Sequence, residues 1–213
     1  MILILDTEVQ PGYRYLGPEI RYHTPGPTKY RVFAEDPPLP DLTTVNGVIL
    51  SGSTASVYDR ERHSPWLERE FDLIERCVVE SVPLLGICFG HQAVNMALGG
   101  TVVNDTRRAT FVEMERTRPD KILERINNVV PVLHADLVTE LGDGMVQTAR
   151  TEYNAYFCSR HSEAPIWTVQ FHPEFTARVH DRPNDWNPGA HEFHEVNATR
   201  VFENFRRHVN CLS

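Results

Sequence analysis

Residues 83–92 read Pro-Leu-Leu-Gly-Ile-Cys-Phe-Gly-His-Gln. An apolar run enters a cysteine set between glycines, and the residues that follow suit a helix. The pattern predicts a fully buried strand over Pro83–Ile87, a sharp turn at Cys88 and a helix over Phe89–Leu98. Gly99-Gly100 can take left-handed conformations and so ends that helix. Such a turn pushes the cysteine side chain out at the carboxyl edge of a sheet, and Gly86 and Gly90 let neighbouring backbone approach. A helix N-terminus beside the sulfur favours the thiolate over the thiol. The N–H of Phe89 would then face the oxyanion formed when the sulfur attacks a carbonyl. A cysteine alone would more simply be a small packing residue. Gly86, Gly90 and His91-Gln92 favour a nucleophile instead.

Eighty residues on, 169–175 reads Val-Gln-Phe-His-Pro-Glu-Phe. The run Trp167–Phe171 predicts another strand, with His172 and Glu174 at its carboxyl end. On an extended segment, side chains two apart point the same way. Glu174 could therefore hold one ring nitrogen of His172 and leave the other facing a thiol. A histidine two residues from a glutamate is weak by itself and more often an incidental surface pair. Combined with the cysteine elbow it reads as a triad of Cys88, His172 and Glu174.

The remaining elements place these motifs on one fold. Ile2–Leu5 and Val45–Leu50 read as aliphatic strands, the second ending in the turn Ser51-Gly52-Ser53. Leu67, Phe71, Ile74 and Val78 recur at helical spacing, so 65–80 is an amphipathic helix with Ser64 as its N-cap. Residues 101–160 read as short strands and turns. Asn197–His208 closes the chain as a helix, with Asn197 capping it. Seven of the fifteen prolines fall between Pro11 and Pro40. This proline-rich excursion, about 11–40, is expected to form loops and turns around a strand near Tyr30–Phe33, without a long regular helix. Strands alternating with helices, several of them apolar on both faces, imply an α/β fold. Its mostly parallel central sheet would carry helices on both faces, in a single domain spanning 1–213.

Composition narrows the function. A chain of 213 residues is long enough for one well-filled core. No apolar run approaches the roughly 20 residues of a membrane span. The start of the chain has no basic region or cleavage site, so the expected compartment is the cytoplasm. The net charge of −8, without a basic block, argues against nucleic acid as a partner. The four cysteines are scattered and read as reduced thiols. The spacing His191-Glu192-Phe193-His194-Glu195 is not that of a zinc helix, and no metal is expected.

The motifs Gly-x-Cys-x-Gly-x-Gln and His-Pro-Glu resemble those of class I (triad-type) glutamine amidotransferases. The likeness extends to Ser51-Gly52, Ala97-Leu98-Gly99-Gly100 and His134-Ala135-Asp136. The runs 50–58 and 132–144 look most like the glutaminase domain of GMP synthetase and its stand-alone relatives, a link to purine biosynthesis. The resemblance implies a flavodoxin-like fold and hydrolysis of L-glutamine through a cysteine thioester to glutamate and ammonia. It implies Cys88 as nucleophile, His172 as general base and acid, and Glu174 as the partner orienting it. Gly52 and Phe89 would supply the oxyanion-hole N–H groups, while Gln92, Ala135 and Asp136 would bind substrate. No cofactor is implied. Ser51-Gly52-Ser53 is no phosphate loop, so the ammonia would pass to a separate synthetase.

Three departures stand out. Ser53-Thr54 replaces the usual Gly-Pro, Ala135 stands where glycine is usual, and the proline-rich segment replaces the usual helix after the first strand. Two alternatives remain at this point: a stand-alone hydrolase of γ-glutamyl amides or peptides, and an inactive regulatory or binding protein.

Overall fold

The computed structural model describes residues 1–35 and 38–212. In chain order the main elements begin with β1 (Ile2–Asp6), α1 (Leu16–His23), β2 (Thr28–Val32) and β3 (Gly47–Leu50). Next come α2 (Arg60–His63), α3 (Trp66–Val79), β4 (Leu84–Ile87) and α4 (Phe89–Ala97). Seven strands follow: β5 (Thr101–Val103), β6 (Arg108–Glu113), β7 (Glu115–Arg116), β8 (Val129–His134), β9 (Leu137–Glu140), β10 (Met145–Arg150) and β11 (Cys158–His161). The last two elements are β12 (Ile166–Val169) and α5 (Arg200–Leu212).

The large sheet runs β2-β1-β3-β4-β12-β11-β10-β7. Its first five strands are mutually parallel, and β11, β10 and β7 extend it antiparallel. The parallel part follows the flavodoxin-like order, in which the chain steps outward from β1 to β2 and then crosses to β3. Strand β1 is apolar from Ile2 to Leu5 because it is covered on both sides. Ile2 and Ile4 join the core beneath α1 and α5, with Ile20, Phe202 and Phe205. Leu3 and Leu5 point the other way, into the core beneath α3 and α4, with Leu67, Ile74 and Ala93. Two small antiparallel pairs, β5–β9 and β6–β8, accompany the sheet.

Several sequence expectations change. A helix of eight residues, α1, lies inside the proline-rich excursion. Pro18 is tolerated because it falls in the first helical turn, where the backbone N–H has no intrahelical partner to lose. Gly17 lets the helix sit close, since a Cβ there would come within 2.9 Å of the Tyr30 ring. Ser64 does not cap α3. The helix starts at Trp66 with Pro65 in the cap position, and the Ser64 N–H instead closes the turn of α2 on the carbonyl of Arg60. Asn197 is not a side-chain cap either. Its amide bridges the loop at 125–127, donating to Arg125 O at 2.8 Å and accepting from Asn127 N at 2.7 Å. Strand β12 ends at Val169, earlier than the apolar run suggests.

All four cysteines are free, with Cys77, Cys88 and Cys158 buried. Among the described residues, no helix is long and apolar enough to cross a membrane.

Candidate active site

The carboxyl ends of β1, β3, β4 and β12 meet at one edge of the sheet, and each hands a side chain or turn to the same cleft. From β4 the chain enters α4 through Cys88, at φ +51° and ψ −101°. A left-handed φ at a residue other than glycine is strained and must be held by its surroundings. Here the Cys88 N–H donates to Val169 O at 2.8 Å, and its carbonyl accepts from the Gln92 N–H at 3.1 Å. Gly86 and Gly90 permit the turn. A Cβ on Gly86 would stand 2.5 Å from Gly90 O, and one on Gly90 would stand 2.8 Å from Leu50 O.

His172 reaches the same cleft from the segment after β12, though not from an extended one. Residues 172–175 form a turn in which the Phe175 N–H donates to His172 O at 3.1 Å. Within this turn Glu174 Oε1 lies 2.7 Å from His172 Nδ1. Both side chains are shut off from solvent. His172 Nε2 is left to the Cys88 sulfur, and the second oxygen of Glu174 has no hydrogen-bond partner among the described residues.

Gly52 locates the ring relative to the sulfur. A Cβ placed on it would stand 3.5 Å from Cys88 Cβ, 3.5 Å from His172 Nε2 and 2.6 Å from His172 Cε1. Thiol and imidazole thus flank one backbone position that only glycine can occupy. Burial works against a charged His172, but the Cys88 sulfur and the Glu174 carboxylate outweigh it and raise the imidazole to about 10. The arrangement can therefore hold an imidazolium beside a sulfur at neutral pH.

Gln92, Ala135 and Asp136 line the same cleft, which has a volume of about 460 Å³. Gln92 is nearly buried, and its amide donates to Asp136 O at 2.9 Å and to Gln170 Oε1 at 3.3 Å. Its N–H₂ group is thus spent on the chain itself, which braces the loop at 134–136. Ala135 and Asp136 form the connection from β8 to β9. The Asp136 carboxylate is held by neutral donors alone: Ser56 Oγ at 2.7 Å, Asn104 Nδ2 at 2.9 Å and Tyr58 OH at 3.1 Å. The N–H groups of Gly52 and Phe89 have no partner among the described residues. His134 is neutral, pushed down to about 3 by burial, and is fixed between Asp136 O and the Tyr153 hydroxyl. His91, on the buried side of α4, is fully enclosed, and its Nδ1 meets Thr168 Oγ1 at 2.8 Å.

Sequence reasoning missed the contribution of the last residue of β1 and the segment after it. Asp6 and Glu8 line the cleft, as do Tyr13 and Tyr15. Burial pushes both carboxyls up. Their position directly after an apolar strand, hence at its carboxyl edge, was the available signal. An Arg107–Asp185 ion pair at 2.9 Å stands at the rim. His191 and His194 pair with nearby carboxylates, and no group of three potential metal ligands occurs among the described residues.

Fold and cleft together define a flavodoxin-like α/β protein with a thiol and an imidazole at its ligand-binding edge. Comparison with known proteins narrows the class. Residues 25–184 match the family model of class-I glutamine amidotransferases, and the chain belongs to that family. It is similar to GMP synthase [glutamine-hydrolyzing] of Wolinella succinogenes, 30% identical in an alignment of 179 positions that covers 74% of this chain and 32% of that protein. The chain thus matches only about a third of that longer relative. It is also 34% identical over 149 residues to a GMP synthase [glutamine-hydrolyzing] subunit of Methanosarcina mazei, covering 67% of each chain. Among solved structures, a glutamine amidotransferase from Thermotoga maritima superposes with a TM-score of 0.74 at 21% identity, over 100% of this chain and 93% of the other. A glutamine amidotransferase from Methylobacillus flagellatus does so with 0.70 at 19% identity, over 97% and 94%. These two likenesses speak for the fold.

Proposed function

We propose that the protein hydrolyses the side-chain amide of L-glutamine to glutamate and ammonia, and that the ammonia passes to a separate synthetase of the GMP synthase kind. One observation carries this reading: the left-handed Cys88 and the Glu174-braced His172 flank Gly52 inside a single cleft.

In the proposed reaction the Cys88 thiolate attacks the amide carbon of glutamine. The oxyanion that forms is met by the N–H groups of Gly52 and Phe89, two donors aimed at charge that develops only in the transition state. The His172 imidazolium gives its proton to the departing ammonia, leaving a γ-glutamyl thioester on Cys88. Neutral His172 then takes a proton from water, whose attack expels the Cys88 thiolate, releases glutamate and restores the thiolate–imidazolium pair. Glu174 keeps the ring oriented and its charged form favoured. Ala135 and Asp136 complete the wall that holds the amino-acid end of the substrate, and Gln92 keeps that wall in place. No step calls on a cofactor.

The test is a glutaminase assay of the wild type beside Cys88→Ala, with and without a candidate synthetase. Glutamate release by the wild type and none by the variant is expected. No release by the wild type, even with the synthetase present, would overturn the reading.

A second reading rests on the cleft's volume of about 460 Å³. That size falls within the range of sites for ligands larger than a single amino acid. It would suit a γ-glutamyl amide or peptide cleaved by the same chemistry. A kcat/KM higher on γ-glutamyl conjugates than on free glutamine would favour it.

A further inference from the structure

We propose that Glu8 is a positioning residue for this reaction, holding Thr54 so that the turn after β3 keeps the Gly52 N–H aimed at Cys88. The inference rests on the glutaminase reading above and adds to it a residue from outside the motifs.

The turn Ser51-Gly52-Ser53-Thr54 has to hold one N–H in a fixed direction. That N–H belongs to the peptide joining Ser51 and Gly52, and in a planar trans peptide it points opposite to the Ser51 carbonyl. The Ser51 carbonyl is fixed by two donors, the Gly90 N–H at 3.1 Å and the Thr7 hydroxyl at 3.2 Å. Thr7 makes a second bond at this near end, its N–H donating to Ser51 Oγ at 3.0 Å.

The far end of the turn is held differently. Thr54 is exposed, and the structure ties it down through Glu8. Glu8 Oε2 accepts the Thr54 N–H at 2.8 Å, and Oε1 accepts the Thr54 hydroxyl at 2.5 Å. Oε1 also accepts the Gln10 N–H at 2.7 Å, and the Gln10 amide donates to Thr54 Oγ1 at 3.1 Å. Bonds to a carboxylate are stronger than those between neutral groups.

Glu8 itself is 5% exposed, and no cation pairs with its side chain among the described residues. A carboxylate in such a place costs free energy, which neutral donors offset only in part. Each of its oxygens accepts from Thr54 in the turn that carries Gly52, which gives this costly group a use. The arrangement also depends on residue 54 not being proline, because proline has no N–H to donate.

The experiment measures glutamine turnover and alkylation of Cys88 by iodoacetamide in the wild type, Glu8→Ala, Glu8→Gln, Thr54→Pro and the double variant. Alkylation displaces iodide at a saturated carbon and forms no oxyanion, so it reports on the thiol–imidazole pair alone. Glu8→Ala is expected to lower kcat about tenfold, with KM and the alkylation rate within about twofold of wild type. Glu8→Gln, which keeps one acceptor, should recover part of the loss. Thr54→Pro should lower kcat likewise, and adding it to Glu8→Ala should cost nothing further.

A Glu8→Ala kcat within about twofold of wild type would overturn the proposal. So would an equal loss in turnover and alkylation, which would mark a general collapse of the site. Should Glu8→Ala not fold, Thr54→Pro and Glu8→Gln carry the same comparison. A wild type inactive on both glutamine and γ-glutamyl conjugates would instead remove the reading on which the proposal rests.

Discussion

The Gly90 N–H donates to the Ser51 carbonyl at 3.1 Å, tying the first turn of α4 to the turn that follows β3. The cysteine elbow and Gly52 are therefore held to each other. This tie explains why both turns tolerate so little side-chain volume: a Cβ on Gly90 would strike Leu50, and one on Gly52 would strike His172.

Gly52→Ala is the direct probe of that crowding. The new methyl would stand 2.6 Å from His172 Cε1, closer than packed atoms allow, so the ring must move away. Loss of ring and donor alignment should lower kcat by about 100-fold, the scale of losing one oxyanion donor. Steady-state kinetics on glutamine check it. Turnover close to that of wild type would show that the ring has room to spare.

The pH dependence of turnover should reflect His172 and its neighbours. Its imidazole is raised to about 10 by the Cys88 sulfur and the Glu174 carboxylate, against the opposing effect of burial. The folded chain thus binds this proton more tightly than the unfolded one. The resulting stabilisation is complete below about pH 6.5, the ordinary histidine value, and is lost as pH rises through about 10. The same cation donates the proton to ammonia in the proposed step, so activity should persist into alkaline solution. Glu174→Gln removes one of the two negative neighbours and should move the alkaline limb of kcat/KM down by about one pH unit or more. A limb that stays in place would show that Glu174 does not set the protonation of His172.

What the sequence revealed depended on how local the determinant was. The elbow was legible because its cause is contained in ten residues: an apolar run, two glycines and a helix start. The parallel sheet was legible for the same reason, since apolar runs such as Ile2–Leu5 and Leu84–Ile87 are buried on both faces. Proline count misled over 11–40, because the position of Pro18 within the first turn of α1 matters more than how many prolines surround it. The meeting of His172 and Glu174 was foreseen, but by the wrong geometry: a turn joins them, not a strand. Glu8 was not legible at all, because its partner Thr54 lies 46 residues away and nothing local to either marks the bond.

The turn that joins His172 to Glu174 is anchored from behind by aromatic rings. Phe175 is fully buried, its ring centroid 4.6 Å from that of Trp186 and 6.0 Å from that of Phe193. Phe111 on β6 packs edge-on against the same two rings, at 5.0 and 4.9 Å. Phe175→Ala should cost about 3–5 kcal/mol of stability, as large-to-small changes in cores do. It should also lower kcat, because the turn loses its footing. Phe175→Leu should keep most of both. Denaturant unfolding and kinetics on the two variants check it, and a normal kcat in a destabilised Phe175→Ala would separate the aromatic anchor from the site.

Glu70 makes the last prediction, and it concerns stability alone. It lies on α3 among Leu67, Phe71 and Ile74, has no exposed surface, and neither of its carboxylate oxygens has a partner among the described residues. Burial pushes the group up to about 8 from 4.5, so the folded chain holds a proton that the unfolded chain releases. Stability should therefore fall as pH rises from about 4.5 to 8, the interval in which only the unfolded state ionises. Glu70→Met removes the titrating group while keeping an unbranched side chain able to fill the same space. It should raise stability at pH 8 by roughly 1–3 kcal/mol, the scale of an unsatisfied buried polar group. The gain should be smaller at pH 5, where keeping the proton costs the folded chain little. Unfolding curves of wild type and variant at the two pH values decide it: an equal gain at both would mean that packing, not the proton, sets the difference.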